Sequence, residues 1–340
     1  MDFFGLDIGT FSIKMVQLRR KADKYQLVAL GSAPSTAKGL LSEAEADLVA
    51  LAEVIKKLHQ EAKIRTKNVV SALPQDKVFT RIITVPKLSE EELSSALKWE
   101  AEQFVPIPLD EATLTHQIVG QIRQNGKEKT RVLLVAAPNR LIKKMVEVLK
   151  TAGLNPISLE TEIFSMARSV VAPNSGAVML VDLGAAATDL AVIENGQPVF
   201  VYSISTGGEA LTRAIAAGLG LGSAQAEAYK KAYGVDPKKL EGKLAQVIGP
   251  LVEKIASEMS KAIQFYQSDG GNKKISRVIL AGGTAGLPEV ASLLAKKLNL
   301  EIQLGDPFEQ VVKDELQAKV PASQTFFYVI AVGLAMKELK

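Results

Sequence analysis

The sequence predicts an α/β fold built twice, as two related lobes facing each other across a cleft, with an α+β unit inserted into the first lobe. Three observations carry this expectation. The stretch "FFGLDIGTFSIKMVQL" at 3–18 is an apolar strand, an Asp-x-Gly turn and a returning strand. The stretch "AVMLVDLGAAATDLAVI" at 177–193 repeats that pattern about 175 residues later, a period suited to duplicated domains and not to a solenoid. Between them, residues 79–153 carry their own helix caps and hairpin signals.

Bulk properties narrow the function classes. The chain of 340 residues is long enough for two or more domains, and its 47% apolar and 23% charged residues are ordinary globular usage. It has no cysteine, which removes disulfides, thiolate metal sites and cysteine nucleophiles together. His59 and His116 are its two histidines and stand far apart, which argues against a zinc site or a Ser-His-Asp hydrolase. The net charge of +4 comes from bases alternating with acids, as in "RRKADK" and "KDELQAK", the pattern of solvated faces and not of a nucleic-acid surface. No signal peptide opens the chain, and the apolar run "FFYVIAVGLAM" is about half the roughly 20 residues a spanning helix needs. The expectation is a soluble, cytoplasmic protein with no direct membrane insertion.

In chain order, residues 3–8, 13–18 and 25–31 read as a meander of three strands. Ser42 then opens a helix, with Glu45 in the capping-box position and Leu48, Leu51, Ala52, Ile55 and Leu58 on one face. "NVVSALP" is a short buried strand. Within the insert, "RIITVP" is a strand, and Ser89 with Glu92 caps a helix carrying Leu93, Leu97 and Ala101. Asn125-Gly126 centres a hairpin whose return strand is "RVLLVAAP", and a helix runs from Asn139 to a left-handed cap at Gly153. After the repeated hairpin, "GQPVFVYSIS" adds a third strand to the second lobe. Residues 207–272 are mostly helical, and "VILAGGTAGLP" returns to a strand and a glycine-rich turn.

Two Asp-Gly hairpins facing each other suit a phosphate chain. Small residues after each aspartate let backbone N–H groups approach phosphate oxygens. Asp7 and Asp182 would stand behind a hydrated Mg²⁺, which keeps several waters and takes few direct protein ligands. Lys14 would return along the first hairpin to neutralise phosphate charge. The glycine-rich "LAGGTAG" at 280–286 adds a third close-approach turn.

These residues resemble the actin-like ATPase superfamily, a ribonuclease H-like duplicated fold. Asp7, Gly9, Thr10 and Phe11 through Lys14 are similar to its first phosphate motif. Asp182, Gly184, Ala185 and Ala186 through Thr188 are similar to its second, and Gly282, Gly283 and Thr284 to its adenosine motif. "ETEIFSMAR", with Glu162, resembles the first connecting helix and "AVGLAM" the second. The resemblance implies ATP and Mg²⁺ as cofactors, with Glu162 and Thr188 as the catalytic candidates. It also implies base and ribose contacts from Gly207, Gly208, Glu209, Glu227 and Lys230. Read by themselves, Glu227 and Lys230 are a surface helical pair at i,i+3, and the surrounding motifs turn the reading towards nucleotide contact. The second loop, "GAAAT", carries alanines where the family has more glycine. Methyls at Ala185, Ala186 and Ala187 would narrow the phosphate pocket, and no histidine or glutamine stands beside them to position a water. Binding without rapid turnover is expected.

The resemblance divides the chain into subdomain 1A (1–78, 154–174 and 318–340), an inserted 1C (79–153), 2A (175–206 and 274–317) and a helical 2B (207–273). No long substrate domain of the chaperone kind is encoded, and no general-base carboxylate of the sugar-kinase kind stands out. The β-α-β-β-α insert is similar to the 1C subdomain of the FtsA-like branch, whereas MreB-like proteins carry a different one. With "GLAMKELK" directly after the second connecting motif, the linker and amphipathic helix of FtsA are not expected. "WEAEQFVPIP", "GLNPISLETEIFSMAR" and "LGDPF" resemble the PilM family of the type IV pilus inner-membrane platform. That family implies an adaptor, peripheral to the inner membrane, capturing the N-terminal tail of a PilN-like membrane protein in a groove between 1A and 1C. Other pilus platform proteins are implied partners, and self-association stays open. Trp99, Phe104 and Ile107 either line that groove or form the insert's core. The competing expectations are an FtsA-like division protein and an actin-fold small-molecule kinase.

Overall fold

The computed structural model describes residues 1–124, 126–269 and 274–338. The meander forms as β1 (Phe4–Ile8), β2 (Ser12–Lys21) and β3 (Lys24–Pro34). After it come α1 (Glu45–Glu61), β4 (Asn68–Leu73), β5 (Phe79–Pro86), α2 (Glu90–Phe104), β6 (Ala112–Gln124), β7 (Lys127–Pro138), α3 (Asn139–Thr151), β8 (Asn155–Thr161) and α4 (Glu162–Val170). The second half runs β9 (Ala177–Leu183), β10 (Thr188–Glu194), β11 (Gln197–Ile204), α5 (Gly208–Leu219), α6 (Ser223–Tyr233), α7 (Lys243–Asp269), β12 (Ile275–Ala281), α8 (Val290–Leu298), β13 (Ile302–Leu304) and α9 (Val329–Ala335).

The duplication is visible in the sheets. The first has the order β3-β2-β1-β4-β8 and the second β11-β10-β9-β12-β13. In each, an antiparallel meander continues into two parallel strands. The hairpins also share register: Asp7 lies opposite Lys14, and Asp182 lies opposite Asp189.

Helices α4 and α9 lie between the sheets and join the lobes. Ile163 and Met166 of α4 and Val329 and Leu334 of α9 share one buried cluster with Val70 of the first sheet and Leu180 and Ile279 of the second. The helices cross with backbones almost touching, since a Cβ at Gly333 would stand 1.8 Å from the Ser165 carbonyl oxygen. Only glycine fits there. The apolar run at 326–336 is thus a 3-10 turn and a short buried helix joining the lobes. Among the described residues no helix is long and apolar enough to cross a membrane.

The insert's sheet has the order β5-β7-β6, and the second half of its central strand, β7, is buried on both faces. Alternation along β7 explains this. Val132, Leu134 and Ala136 pack with Leu93, Leu97 and Ala101 of α2, whereas Leu133, Val135 and Ala137 join the first-lobe cluster with Met145, Val148 and Leu149 of α3. Helix α3, grouped by sequence with the insert, therefore packs beside α1 on the first lobe. Ser89 and Glu92 form the expected capping box. Ser42 does not cap α1, which starts at Glu45 after Ala44; its hydroxyl instead donates to Asp47 and accepts from the Ala44 N–H. Gly126 has a φ of 76°, as a tight hairpin needs, and Gly153 one of 79°. Asn125, the other half of that turn, and 270–273, at the end of the helical segment, lie outside the described residues.

Candidate functional site

The ends of β1, β2, β9, β10 and β12 converge on a cleft of about 810 Å³ between the lobes, within the usual size of a small-molecule site. Of the residues singled out by sequence, Asp7, Gly9, Thr10, Phe11, Lys14, Glu162, Asp182, Gly184, Ala185, Ala186, Gly208, Glu227, Lys230, Gly282, Gly283 and Thr284 all line it. Gly207, Glu209 and Thr188 do not. Thr188 is fully buried and its hydroxyl donates to the Thr206 carbonyl, so it has no hydroxyl to offer a ligand. Gly207 precedes α5, and the Glu209 N–H donates to the Ala185 carbonyl behind the cleft wall.

Hydrogen bonds lock the second-lobe segments together. The Gly208 N–H donates to the Gly184 carbonyl at 2.9 Å, and the Thr284 N–H donates to the Leu183 carbonyl at 3.0 Å. Gly282 has a φ of 83°, and a Cβ there would stand 2.1 Å from Asp182 Oδ1, so a larger residue would displace the carboxylate. On the first lobe, Lys14 Nζ donates to Asp7 Oδ2 at 2.8 Å. Burial works against the charge on Lys14, but Asp7 beside it, together with Asp182 and Glu162, outweighs that and raises the lysine's pKa.

The acidic floor is the strongest electrostatic feature. Glu162, Asp182 and Asp189 each offer a carboxylate oxygen, and these lie within 4.8 Å of one another. Burial, then the nearby carboxylates of Asp182, Asp189 and Asp7, push Glu162 well above the usual carboxylate range. Burial, with Asp7 adding to it, pushes Asp182 up to about 6 although Lys14 opposes the shift. Asp189 rises to about 7, mainly through burial, although its hydrogen bond from Ser203 opposes this. Desolvated like charges disfavour simultaneous ionisation, and a divalent cation would relieve that cost. Hard oxygen donors of this kind suit Mg²⁺.

Sequence reasoning passed over Asp189 as a site residue. The signal was present in the repeat, because Asp189 stands opposite Asp182 as Lys14 stands opposite Asp7. Asp76 and Phe327 also line the cleft and belong to no recognised motif. At the far end, all three ammonium protons of Lys230 have acceptors within the protein: Gly208 O at 3.0 Å, Thr212 Oγ1 at 2.8 Å and Glu227 Oε2 at 2.6 Å. Burial lowers its pKa, with Glu227 opposing. Lys230 thus braces Glu227 and the start of α5, and its ammonium stands 5.8 Å from the ring of Phe11 on the opposite lobe. On the insert, Trp99 is 61% exposed, whereas Phe104 and Ile107 pack against the insert's core.

Two duplicated sheets, paired connecting helices and a cleft floored by both hairpins define a protein of the actin-like fold. MreB 5 of Spiroplasma citri, solved with AMPPNP, shares that fold with a TM-score of 0.53 at 14% identity, covering 97% of this chain and 94% of that one. The cell division protein FtsA of Streptococcus pneumoniae is 22% identical over 95% of this chain and 79% of its own length. Residues 5–339 match the family "Type IV pilus assembly protein PilM", and the chain belongs to it. The PilM-PilN type IV pilus biogenesis complex contains a chain 28% identical to this one, with a TM-score of 0.83 and coverage of 99% of this chain and 98% of that one.

Proposed function

We propose that this protein is an ATP-binding adaptor of type IV pilus assembly that holds the cytoplasmic N-terminal tail of a PilN-like membrane protein. The likeness, over nearly the whole chain, to a PilM solved with PilN carries this reading. Recruitment through that tail would keep the protein peripheral to the inner membrane. The tail would bind in extended form, with apolar anchors, where the insert meets the first lobe. Trp99 suits the role of one wall, being large, apolar and mostly exposed.

ATP would lie along the cleft, its phosphates between the hairpins and its base and ribose towards Glu227. Magnesium, when bound, would screen the phosphate charge. Asp182, Asp189 and Glu162 would face the cation, with Asp7 held behind by Lys14. Glu227 is pre-oriented, since Lys230 and Thr212 both bond its Oε2. Slow hydrolysis is the reading that Thr188 favours, because its buried hydroxyl is turned away to the Thr206 carbonyl and does not line the cleft.

The test is a titration of ATP with and without Mg²⁺ against the full chain and its Asp7→Ala and Asp182→Ala variants. Both variants should lose the Mg²⁺-dependent part of the affinity while circular dichroism stays unchanged. Equal affinity in all three proteins would remove the assignment.

A further inference from the structure

Phe11 is a large apolar side chain at the tip of the first hairpin, and it is 50% exposed although it lines the cleft. The turn itself asks for no ring. Phe11 stands four places after Asp7, and the residue four places after Asp182 in the duplicated hairpin is Ala186, which carries only a methyl. The first turn is instead fixed through its backbone. The Gly9 N–H donates to the Ser12 carbonyl at 3.1 Å, and the Phe11 carbonyl accepts from the Ser35 N–H at 2.9 Å. With the main chain held and half of the ring in solvent, the side chain has room to change rotamer.

What the ring meets lies on the other lobe. Its centroid is 5.8 Å from Lys230 Nζ, within cation–π range. Lys230 is itself fixed, being 3% exposed and bonded to Glu227 and to the Gly208 carbonyl. The contact therefore spans the cleft from the first hairpin to the wall that carries Glu227. A ligand with its anionic end between the hairpins and its other end at Glu227 has to share that gap with the ring.

We propose that Phe11 is a clasp, whose ring swings aside to admit a nucleotide and then closes over it against the Lys230 wall, setting the rate of release. Closed, the ring shields the ligand from water and exchanges its own solvent contact for ligand and ammonium. A contact made only after entry acts mainly on dissociation. This inference rests on the cleft taking a nucleotide, and it concerns how long the nucleotide stays.

Release of radiolabelled AMPPNP from the full chain, chased with excess unlabelled AMPPNP in Mg²⁺, tests it. Phe11→Ala should speed release about fivefold or more, with a much smaller change in association. Phe11→Tyr, which keeps a ring, should restore slow release. A second readout needs no rate. The chain has one tryptophan, Trp99, so Phe11→Trp with Trp99→Phe puts a single indole at the clasp. Acrylamide should quench that indole less with Mg·AMPPNP bound than without it. Binding with equal release from wild type and Phe11→Ala overturns this inference alone, as does equal quenching with and without nucleotide. Slower release from Phe11→Ala also overturns it. Failure of the wild type to bind AMPPNP overturns both this inference and the reading of the cleft.

Discussion

Asp189 occupies, in the second hairpin, the register that Lys14 occupies in the first. The first hairpin is thereby neutralised internally, and the second is left with a surplus of negative charge. That difference has a pH signature. The folded-state pKa of Asp189, about 7, lies above the value of about 4 expected for an unfolded aspartate. Between those values the folded chain holds a proton that the unfolded chain has released, so stability falls as pH rises through the window. Asp189→Asn should be more stable than wild type above pH 7, by at most about 4 kcal/mol, and the two should converge towards pH 4. Thermal denaturation in chelator across that range checks it, and a constant difference at all pH values would contradict it. Asp7 and Asp182 were legible in the sequence because each ends an apolar strand two residues before a glycine, and Lys14 because it re-enters the apolar strand that follows the first turn. Asp189, the second residue of β10, was passed over, because its role follows from the strand opposite and is marked in the sequence only by the repeat.

Among the elements, those with local signals were the most legible. Ser89 and Glu92 stand at capping-box spacing before a periodic apolar run, and the box is formed. Ser89→Ala should cost about 1 kcal/mol of stability, measured by denaturant titration. Ser42 and Glu45 have the same spacing, yet Asp47 captures the Ser42 hydroxyl and the helix starts later. The pattern is degenerate when a second acid lies within reach. The assignment of α3 needed tertiary information, since its amphipathic face does not say which sheet it covers. The crossing of α4 and α9 was legible only as two motifs. The backbone contact at Gly333 appears once both helices are placed, and Gly333→Ala should destabilise by about 1–3 kcal/mol through overpacking. A melting temperature unchanged by that substitution would show that the helices can part freely.

Across the whole molecule, two lobes are joined by crossed helices, and an insert touches both of them. The duplication was legible because strand, Asp-x-Gly turn and strand recur. The contact between insert and second lobe was not, because β5 and β11 carry no complementary pattern that marks them as neighbours. Turnover of ATP by the isolated protein should sit far below the roughly 10 per second typical of enzymes. A steady-state rate in that range, abolished by Glu162→Gln, would show a working ATPase. The adaptor reading is tested most directly by calorimetry of the cytoplasmic N-terminal peptide of the PilN-type protein from the same organism. It should be titrated against the full chain and its Trp99→Glu variant, each with and without Mg·ATP. Saturable one-to-one binding, of moderate affinity because a disordered tail must be ordered, is the predicted result for the wild type, with clear weakening in the variant. No binding by the wild type, with or without Mg·ATP, would contradict it.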